Sequence, residues 1–146
     1  MLMVMKNSNK ILIALVIFAV FFFGLFYSQN FAIVSGEAIK LERAETAEAK
    51  QKGLSGRKSL CGGCGMLFSY DKPQEIGIWM KDMKFSIDIV WLDKEKRITH
   101  VESSVTPETY PTTFSDRTAR SQFVVELPSK YIQEHQIKNG DKLYFW

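Results

Sequence analysis

The chain opens with an uncharged apolar run and then changes to short apolar stretches separated by polar links. Residues 11–27, ILIALVIFAVFFFGLFY, carry no charge, and Lys6 and Lys10 precede them. As a helix this run reaches roughly 25 Å at about 1.5 Å per residue, close to the ~30 Å hydrocarbon core of a bilayer. Because the next basic residue is Lys40, the pattern predicts a helix with its N-terminus in the cytoplasm and the rest of the chain outside.

This N-terminal segment has two interpretations, an uncleaved anchor or a signal peptide. The run is longer than the ~7–15 apolar residues of an ordinary signal peptide, which favours a single-pass anchor. The sequence VSG, residues 34–36, is a passable cleavage site, so secretion after cleavage near Gly36 is the alternative. Either way, we expect residues 1–36 to direct the chain to the cell membrane and residues 37–146 to form one extracytoplasmic domain.

The first part of that domain predicts a strand, a helix and a turn. Residues 38–43 alternate weakly between apolar and polar, as a short strand does. Thr46 is a suitable N-cap for a helix that ends near Lys52, and Gly53 is a natural residue to follow its end. The alternative is a charged helical stalk over residues 37–52 that lifts the domain off the membrane.

From residue 65 onward the pattern favours β-structure. GMLFSY, EIGIWMK, SIDIVWLD and RITHVESS are rich in β-branched and aromatic residues, and their short polar links predict antiparallel hairpins in a meander. SQFVVEL predicts another strand, PSKYIQEHQIKNGD a short helix and KLYFW a final strand. We therefore expect a β-rich α+β domain, a small closed or partly closed antiparallel barrel with two short helices.

One carboxylate interrupts an otherwise apolar strand. In SIDIVWLD both faces are apolar, which indicates a central strand, yet Asp88 lies near its beginning. An unpaired buried carboxylate would cost several kcal/mol, so a partner is expected. Lys81, on the preceding run, would reach Asp88 if the two runs form a hairpin, and Arg57 and Arg120 are further candidates.

Trp79 shares a strand face with Lys81. An indole beside an ammonium group and a carboxylate is typical of sites for sugar rings and other small polar ligands. The pattern therefore predicts a binding site for a small polar ligand or glycan, formed by Trp79, Lys81 and Asp88 with Arg57 as a fourth member. The alternative is an ion pair between Lys81 and Asp88 that only stabilises the hairpin.

Cys61 and Cys64 form a C-x-x-C motif. Outside the cytoplasm such a pair is normally oxidised, so we expect a structural disulfide. The alternative is a thiol-disulfide oxidoreductase, although a β run follows here where thioredoxin-type motifs begin a helix. A zinc site would need His100 and His135, whose spacing is unlike that of zinc fingers. We therefore predict no metal and no cofactor.

Composition and motifs do not favour nucleic-acid binding or catalysis. The domain keeps 17 of the 19 basic residues, since only Lys6 and Lys10 precede it, and all 16 acidic residues, so its charge is close to +1. That balance does not favour nucleic acid or anionic lipid as a partner. No G-x-S-x-G motif or phosphate-binding glycine loop occurs, and we predict no catalytic residue. Tyr110 and Phe114, in the loop over residues 105–117, instead allow an envelope protein-interaction module as a further alternative.

Five strings in order, KGLSGRKSL, GMLFSY, IWMKDMKFSIDIVWLD, FVVELP and IKNGDKL, resemble the domain-of-unknown-function (DUF) family 192 of bacteria and archaea. The resemblance covers about residues 38–145. It implies a compact β-rich fold with two helices and frequent export behind a signal peptide or anchor, but no activity, substrate or cofactor. The cysteine pair is a departure from the family pattern. The motif positions fall on Gly53, Leu54, Arg57, Gly65, Met66, Phe68, Trp79, Met80, Lys81, Asp88, Glu126, Gly140 and Asp141.

Overall fold

The structure is a computed structural model that describes residues 11–18 and 31–145. Residues 11–18 are helical with exposed side chains. The remainder of the predicted apolar helix, residues 19–27, lies outside the described residues. Across the two described ranges, none of the helices combines the length and the apolar character that a membrane crossing takes.

Nine strands and three short helices make up residues 31–145. The strands are β1 Phe31–Val34, β2 Glu37–Ala44, β3 Cys64–Gln74, β4 Ile78–Trp79, β5 Ile87–Leu92, β6 Ile98–Val105, β7 Thr113–Phe114, β8 Ser121–Pro128 and β9 Tyr144–Phe145. The helices are α1 Ala47–Lys52, a 3₁₀ helix Pro107–Thr109 and α2 Tyr131–Glu134. The predicted β-rich α+β class is confirmed, with a 3₁₀ turn in addition to the two predicted helices.

Seven of the strands form one curled half-barrel sheet in the order β6-β5-β8-β3-β2-β1-β9. Its pairs are antiparallel except β2 with β3, which run parallel because α1 and the loop after it carry the chain back between them. The two edge strands approach each other at one corner, where Arg97 bridges to Lys142 and the N–H of Gly140 donates to the carbonyl of Ile98. The sheet is thus mixed, whereas the sequence predicts an antiparallel one.

Each face of this sheet carries its own apolar core. All seven strands contribute to the first core, which α2 also covers; its members include Ala32, Ile39, Leu67, Leu92, Ile98, Val125, Leu127, Ile132 and Phe145. The second core lies on the opposite face and includes Ala44, Leu54, Met66, Phe68, Ile76, Met80, Ile89, Trp91 and Val124. Because both faces are covered, all six residues of β5 are buried, as expected for a central strand.

The start and end of α1 follow the predicted local chemistry. The Thr46 side chain accepts a hydrogen bond from the N–H of Ala49 at 3.1 Å, which satisfies one of the free donors of the first turn. Gly53 follows the helix with φ +50°, a conformation that favours glycine, and its N–H donates to the carbonyl of Ala49. These two residues fix the direction in which the chain leaves α1 toward the second core.

The predicted meander is wrong at one decisive place. EIGIWMK forms only the two-residue strand β4, which pairs with β7 in a separate small sheet. Both edges of β5 are already occupied, by β6 and by β8, so β4 cannot add to it. The hairpin that would bring Lys81 to Asp88 does not form, and within the predicted meander only β5 and β6 are consecutive paired strands.

The folded part of the chain includes residues before the predicted boundary at 36/37. β1 pairs with β2 through a turn at Ser35 and Gly36, and it also pairs with β9. Ala32 and Val34 are buried in the first core. Residue 36 therefore lies in the turn of a hairpin.

Candidate functional site

Asp88 is held by backbone groups rather than by a lysine. Its carboxylate is fully buried and accepts hydrogen bonds from the N–H of Ser104 at 2.7 Å, of Lys130 at 3.2 Å and of Ile132 at 2.7 Å. The last two donors open α2, whose N-cap residue makes no side-chain cap of its own. Asp88 therefore acts as a cap supplied from a neighbouring strand, and its burial needs no cationic partner.

The other three predicted site residues lie apart from Asp88. Lys81 is exposed, and its carbonyl, not its ammonium group, is engaged, accepting from the hydroxyl of Ser55 at 2.7 Å. The guanidinium of Arg57 donates to both carboxylate oxygens of Glu42, each at 2.7 Å. In the described part of the chain no ion pair joins Lys81 to Asp88.

The sheet itself separates Asp88 from Trp79. Asp88 pairs in register with Leu127, and Ile89 pairs with Glu126. Residues directly opposite on paired strands share a face, and successive residues alternate faces. Asp88 consequently points into the first core with Leu127, while Glu126 points to the other face, where the cavity bordered by Trp79 lies.

That cavity is the candidate site. It measures about 300 Å³ and lies where the end of α1 and the loop after it cross β3, β4 and β8. Its wall consists of Lys50, Gln51, Lys52, Gly53, Leu54, Ser55, Phe68, Tyr70, Gly77, Ile78, Trp79, Met83 and Glu126. Trp79 is the one predicted site residue that lines it.

Glu126 forms the buried end of the cavity. The residue is 5% exposed, and its Oε2 atom is buried without a hydrogen-bond partner among the described residues. Gly53 lies above it: a Cβ atom at this position would come 3.4 Å from Cζ of Phe68 and 3.7 and 3.8 Å from the two carboxyl oxygens. The absence of a side chain at Gly53 therefore leaves space in front of the carboxyl group.

Burial governs the protonation of Glu126. Loss of solvation raises the pKa of the Glu126 carboxyl to about 8, and the positive charge of Arg57 opposes this rise. At neutral pH the group is thus mostly a neutral carboxylic acid, which can donate a hydrogen bond from its O–H and accept one at its carbonyl oxygen. Burial, together with the charge of Glu126, also raises the pKa of the neighbouring Tyr70 hydroxyl.

Aromatic and basic side chains form the open part of the cavity. The Trp79 side chain is large and apolar, yet 46% of it is exposed. The ammonium group of Lys50 lies 4.5 Å from the centroid of the Tyr70 ring, a cation–π contact. Lys50 and Lys52 both belong to the last turn of α1. The site therefore combines an indole face, two ammonium groups and a buried acid.

The loop after α1, which borders the cavity, is hydrogen-bonded to residues 81 and 82. Besides the bond from Ser55 to the Lys81 carbonyl, the N–H of Gly56 donates to the carbonyl of Asp82 at 2.9 Å. Asp82 has φ +57°, a turn conformation that Asp adopts more readily than most residues. These bonds hold the loop after α1 against the turn after β4.

Cys61 and Cys64 are joined by a disulfide at the entrance to β3. With Arg57 and Glu42 they border a second cavity of about 450 Å³. This cavity contains no unpartnered buried polar atom among the described residues. Over residues 11–18 and 31–145, no group of three or more His, Cys, Asp or Glu residues is placed to hold a metal ion.

Sequence reasoning missed Glu126, Tyr70 and Lys50. The signal for Glu126 was available, because FVVELP places a carboxylate in an apolar strand just as SIDIVWLD does. The sequence gives no such signal for Lys50 and Tyr70, because their positions fit the pattern of an ordinary helix surface and of a strand end. Their contribution follows only from the parallel pairing of β2 with β3, which brings α1 beside Tyr70.

Comparison with known proteins identifies a family and a fold. The family model of DUF192, described as "Uncharacterized ACR", matches residues 31–145. The search of curated proteins gives no match. A crystal structure of a Novosphingobium aromaticivorans protein of unknown function is similar with a TM-score of 0.74 and 24% identity, covering 79% of this chain and 84% of that one. A Sinorhizobium meliloti protein described as a candidate transcription regulator is similar with a TM-score of 0.72 and 21% identity, covering 79% and 90%. At these identities the two structures bear on the fold alone.

Proposed function

Since the chain belongs to domain-of-unknown-function family 192, we propose from the geometry of its cavity that it is a binding module for a small polar ligand of the size of a sugar ring. The site is the cavity between Trp79 and Glu126. The proposal keeps Trp79 from the sequence prediction and replaces Asp88 by Glu126. It assigns no catalytic step: Glu126 is the one acid of the described wall, and the hydroxyl of Ser55 is bound to the carbonyl of Lys81.

One observation carries the proposal, namely the unpartnered carboxyl oxygen of Glu126 at the end of a cavity. Buried polar atoms are nearly always hydrogen-bonded, and leaving one without a partner costs roughly 1–3 kcal/mol. A purely structural strand position would be filled at less cost by an apolar residue. A polar ligand that hydrogen-bonds to Glu126 accounts for a carboxyl group at this position.

The remaining walls agree with a ring-shaped ligand that has polar edges. A cavity of about 300 Å³ is at the small end of the ~300–1,000 Å³ range of ligand sites, which suits a single ring. The half-exposed indole of Trp79 offers a flat apolar surface for the C–H face of a sugar. Glu126 can then contact hydroxyl groups at the opposite edge.

Tryptophan fluorescence and thermal shift of the full chain test the proposal. Titration with monosaccharides should raise the melting temperature of the wild-type protein and change its tryptophan emission, to which Trp79 contributes. Trp79→Ala should abolish binding of the sugar, whereas Tyr144→Ala, which removes an aromatic ring of similar exposure on β9, should not. If both variants bind as the wild type does, or if no monosaccharide at millimolar concentration gives a shift, this function is overturned.

The proposal extends to location. We place the domain outside the cytoplasm, anchored through residues 11–27 with the N-terminus inside or secreted after cleavage. Alkaline phosphatase fused to the C-terminus should be active in a bacterial host, and an inactive fusion would contradict export. Because β1 contributes the buried residues Ala32 and Val34, cleavage after Gly36 would remove a core strand. We therefore expect the intact mass of the isolated protein to include Phe31.

A second candidate is a thiol-disulfide oxidoreductase. It is favoured by the exposure of Cys61 and by the open cavity beside the bond. The reduction potential of the pair decides between the two roles. A value well below about −300 mV indicates a stable structural bridge, and a value in the range of about −120 to −270 mV would support exchange with partner dithiols.

A further inference from the structure

We propose that the cavity selects a sugar ring that carries a carboxylate, as uronic acids do, with the anionic group near Lys50 and Lys52 and the ring hydroxyls at Glu126. This inference rests on the proposed function and adds the charge of the ligand to it. It follows from the charges that line the cavity and from the partners that those charges already have.

The charges of the wall are unbalanced. Lys50 and Lys52 are its two basic residues and Glu126 is its one acid. Among the described residues neither lysine forms an ion pair, and the nearby guanidinium of Arg57 is already bound to both oxygens of Glu42. Among the described residues the two ammonium groups thus have no ion-paired carboxylate, and Lys52 reaches one, Glu42, only through a longer-range charge interaction.

Glu126 does not compensate for these lysines. Its carboxyl group is buried in the wall of the same cavity and is mostly protonated at neutral pH. A protonated acid offers an O–H donor and a carbonyl acceptor, which match a hydroxyl group or a second carboxyl group. It offers no negative charge that would attract an amine.

A cationic ligand is disfavoured by the same geometry. It would lie beside two like charges, and Glu126 would have to ionise in a buried environment before it could compensate. An anionic ligand meets the lysines directly and needs no change of protonation. Trp79 then supplies the surface on which the ring stacks, so that a ring with a carboxylate uses every part of the site.

The lysines also have a purely structural explanation. Basic residues in the last turn of a helix interact favourably with its carbonyl end. This effect stabilises α1 whether or not a ligand binds, and it is indifferent to the charge of a sugar. A comparison of ligands that differ in charge therefore separates the two explanations.

The experiment titrates the full chain with sodium D-glucuronate, D-glucose and D-glucosamine hydrochloride at equal ionic strength, using calorimetry or ligand-observed NMR at pH 7. These probes share one ring and differ in carrying a carboxylate, no charge or an ammonium group. Sodium acetate controls for binding of a carboxylate without a ring. We expect glucuronate to bind at least 10-fold more tightly than glucose, and glucosamine and acetate to bind most weakly.

Two double variants assign the preference to the lysines. In K50Q/K52Q the affinity for glucuronate should fall to that for glucose, while K50R/K52R should keep the preference because it keeps both charges. Lys94→Gln, on another surface of the domain, should change neither affinity.

Four results would overturn the inference. Equal binding of glucose and glucuronate, or a preference that survives K50Q/K52Q, would contradict charge selection while leaving the binding function in place. Tightest binding of glucosamine would show that Glu126 is ionised in the complex. Binding of none of the three sugars would overturn the carbohydrate function itself along with the inference.

Discussion

The carboxylate of Asp88 accepts a hydrogen bond from the backbone N–H of Ile132 at 2.7 Å, and this bond joins the central strand β5 to the first turn of α2. Two more backbone donors, of Ser104 and Lys130, point at the other oxygen of the same carboxylate. A buried carboxylate with three such donors stabilises the surrounding chain. Asp88 therefore stabilises the fold, and it lies on the face of the sheet away from the cavity.

Asp88→Asn should destabilise the domain by about 1–3 kcal/mol, because the amide NH₂ replaces an acceptor that faces a backbone donor. Urea unfolding followed by circular dichroism measures this change. Asp82→Asn is the matched control: Asp82 is exposed and has φ +57°, which Asn tolerates, so its effect should stay within about 0.5 kcal/mol. Equal effects of the two substitutions would contradict the capping role of Asp88.

Glu126 should make the stability of the domain depend on pH in a specific direction. Its pKa rises from 4.5, the value for the unfolded chain, to about 8 in the folded protein. Between these values the folded state binds more protons than the unfolded state, so the free energy of unfolding falls as pH rises. The contribution of Glu126 is fully present below about pH 4.5 and is lost by about pH 8, a loss on the order of a few kcal/mol.

Glu126→Gln tests this dependence because it keeps the size of the side chain and removes its titration. We expect the variant to gain stability relative to the wild type at each step from pH 5 through 6.5 to 8. Glu134→Gln, which removes an exposed carboxyl on α2, controls for the loss of an acidic residue. A constant difference between Glu126→Gln and wild type at all three pH values would mean that Glu126 is ionised throughout.

A side chain at position 65 should destabilise the domain. A Cβ atom there would lie 2.9 Å from the backbone carbonyl oxygen of Glu126 and 3.1 Å from methyl carbons of Leu127 and Leu41. Because the closest atom belongs to the backbone of β8, Gly65→Ala must displace a paired strand, at a cost of about 1–3 kcal/mol. Gly62→Ala is the control, since nothing lies within 4 Å of its added Cβ. Unfolding midpoints in urea should differ between the two variants, and equal midpoints would contradict close packing at Gly65.

Local features of the fold could be predicted from the sequence, and pairings between distant strands could not. Thr46 and Gly53 bound α1 as their residue types predict, and two apolar faces identify β5 as central. These inferences depend on neighbours a few residues away. The parallel pairing of β2 with β3 and the pairing of β4 with β7 depend on contacts between residues far apart in the chain, for which one sequence gives no direct signal.

The residues of the candidate site likewise depend on tertiary contacts that the sequence does not reveal. Asp88 and Glu126 are both carboxylates in apolar strands, and the sequence does not distinguish them. Their environments differ because three backbone N–H groups from β6 and the start of α2 reach Asp88, whereas none of the described groups reaches Oε2 of Glu126. Which of the two carboxylates is satisfied is decided by tertiary structure, so the sequence offers Trp79 as a candidate but cannot choose Glu126 over Asp88.

Arg57, predicted as a site residue, should influence the cavity through its charge rather than through contact with a ligand. Its guanidinium lowers the pKa of Glu126 and so opposes the effect of burial. Arg57→Met removes that charge while keeping an extended side chain, and it should raise the pKa of Glu126 above about 8. The carboxyl carbon of Glu126, followed by NMR as pH is varied, reports this pKa directly.

The partner of Arg57 provides a variant with the opposite expectation. Glu42→Gln removes the carboxylate that binds Arg57 through two bonds of 2.7 Å, so that more of the guanidinium charge acts on Glu126. The pKa of Glu126 should then fall below that of the wild type. The Arg57–Glu42 pair is largely exposed, with 35% and 56% of the two side chains accessible, so either substitution should change the free energy of unfolding by less than about 1 kcal/mol. If both substitutions move the pKa of Glu126 in the same direction, or neither moves it, the charge of Arg57 does not reach the cavity and burial alone sets the protonation of Glu126.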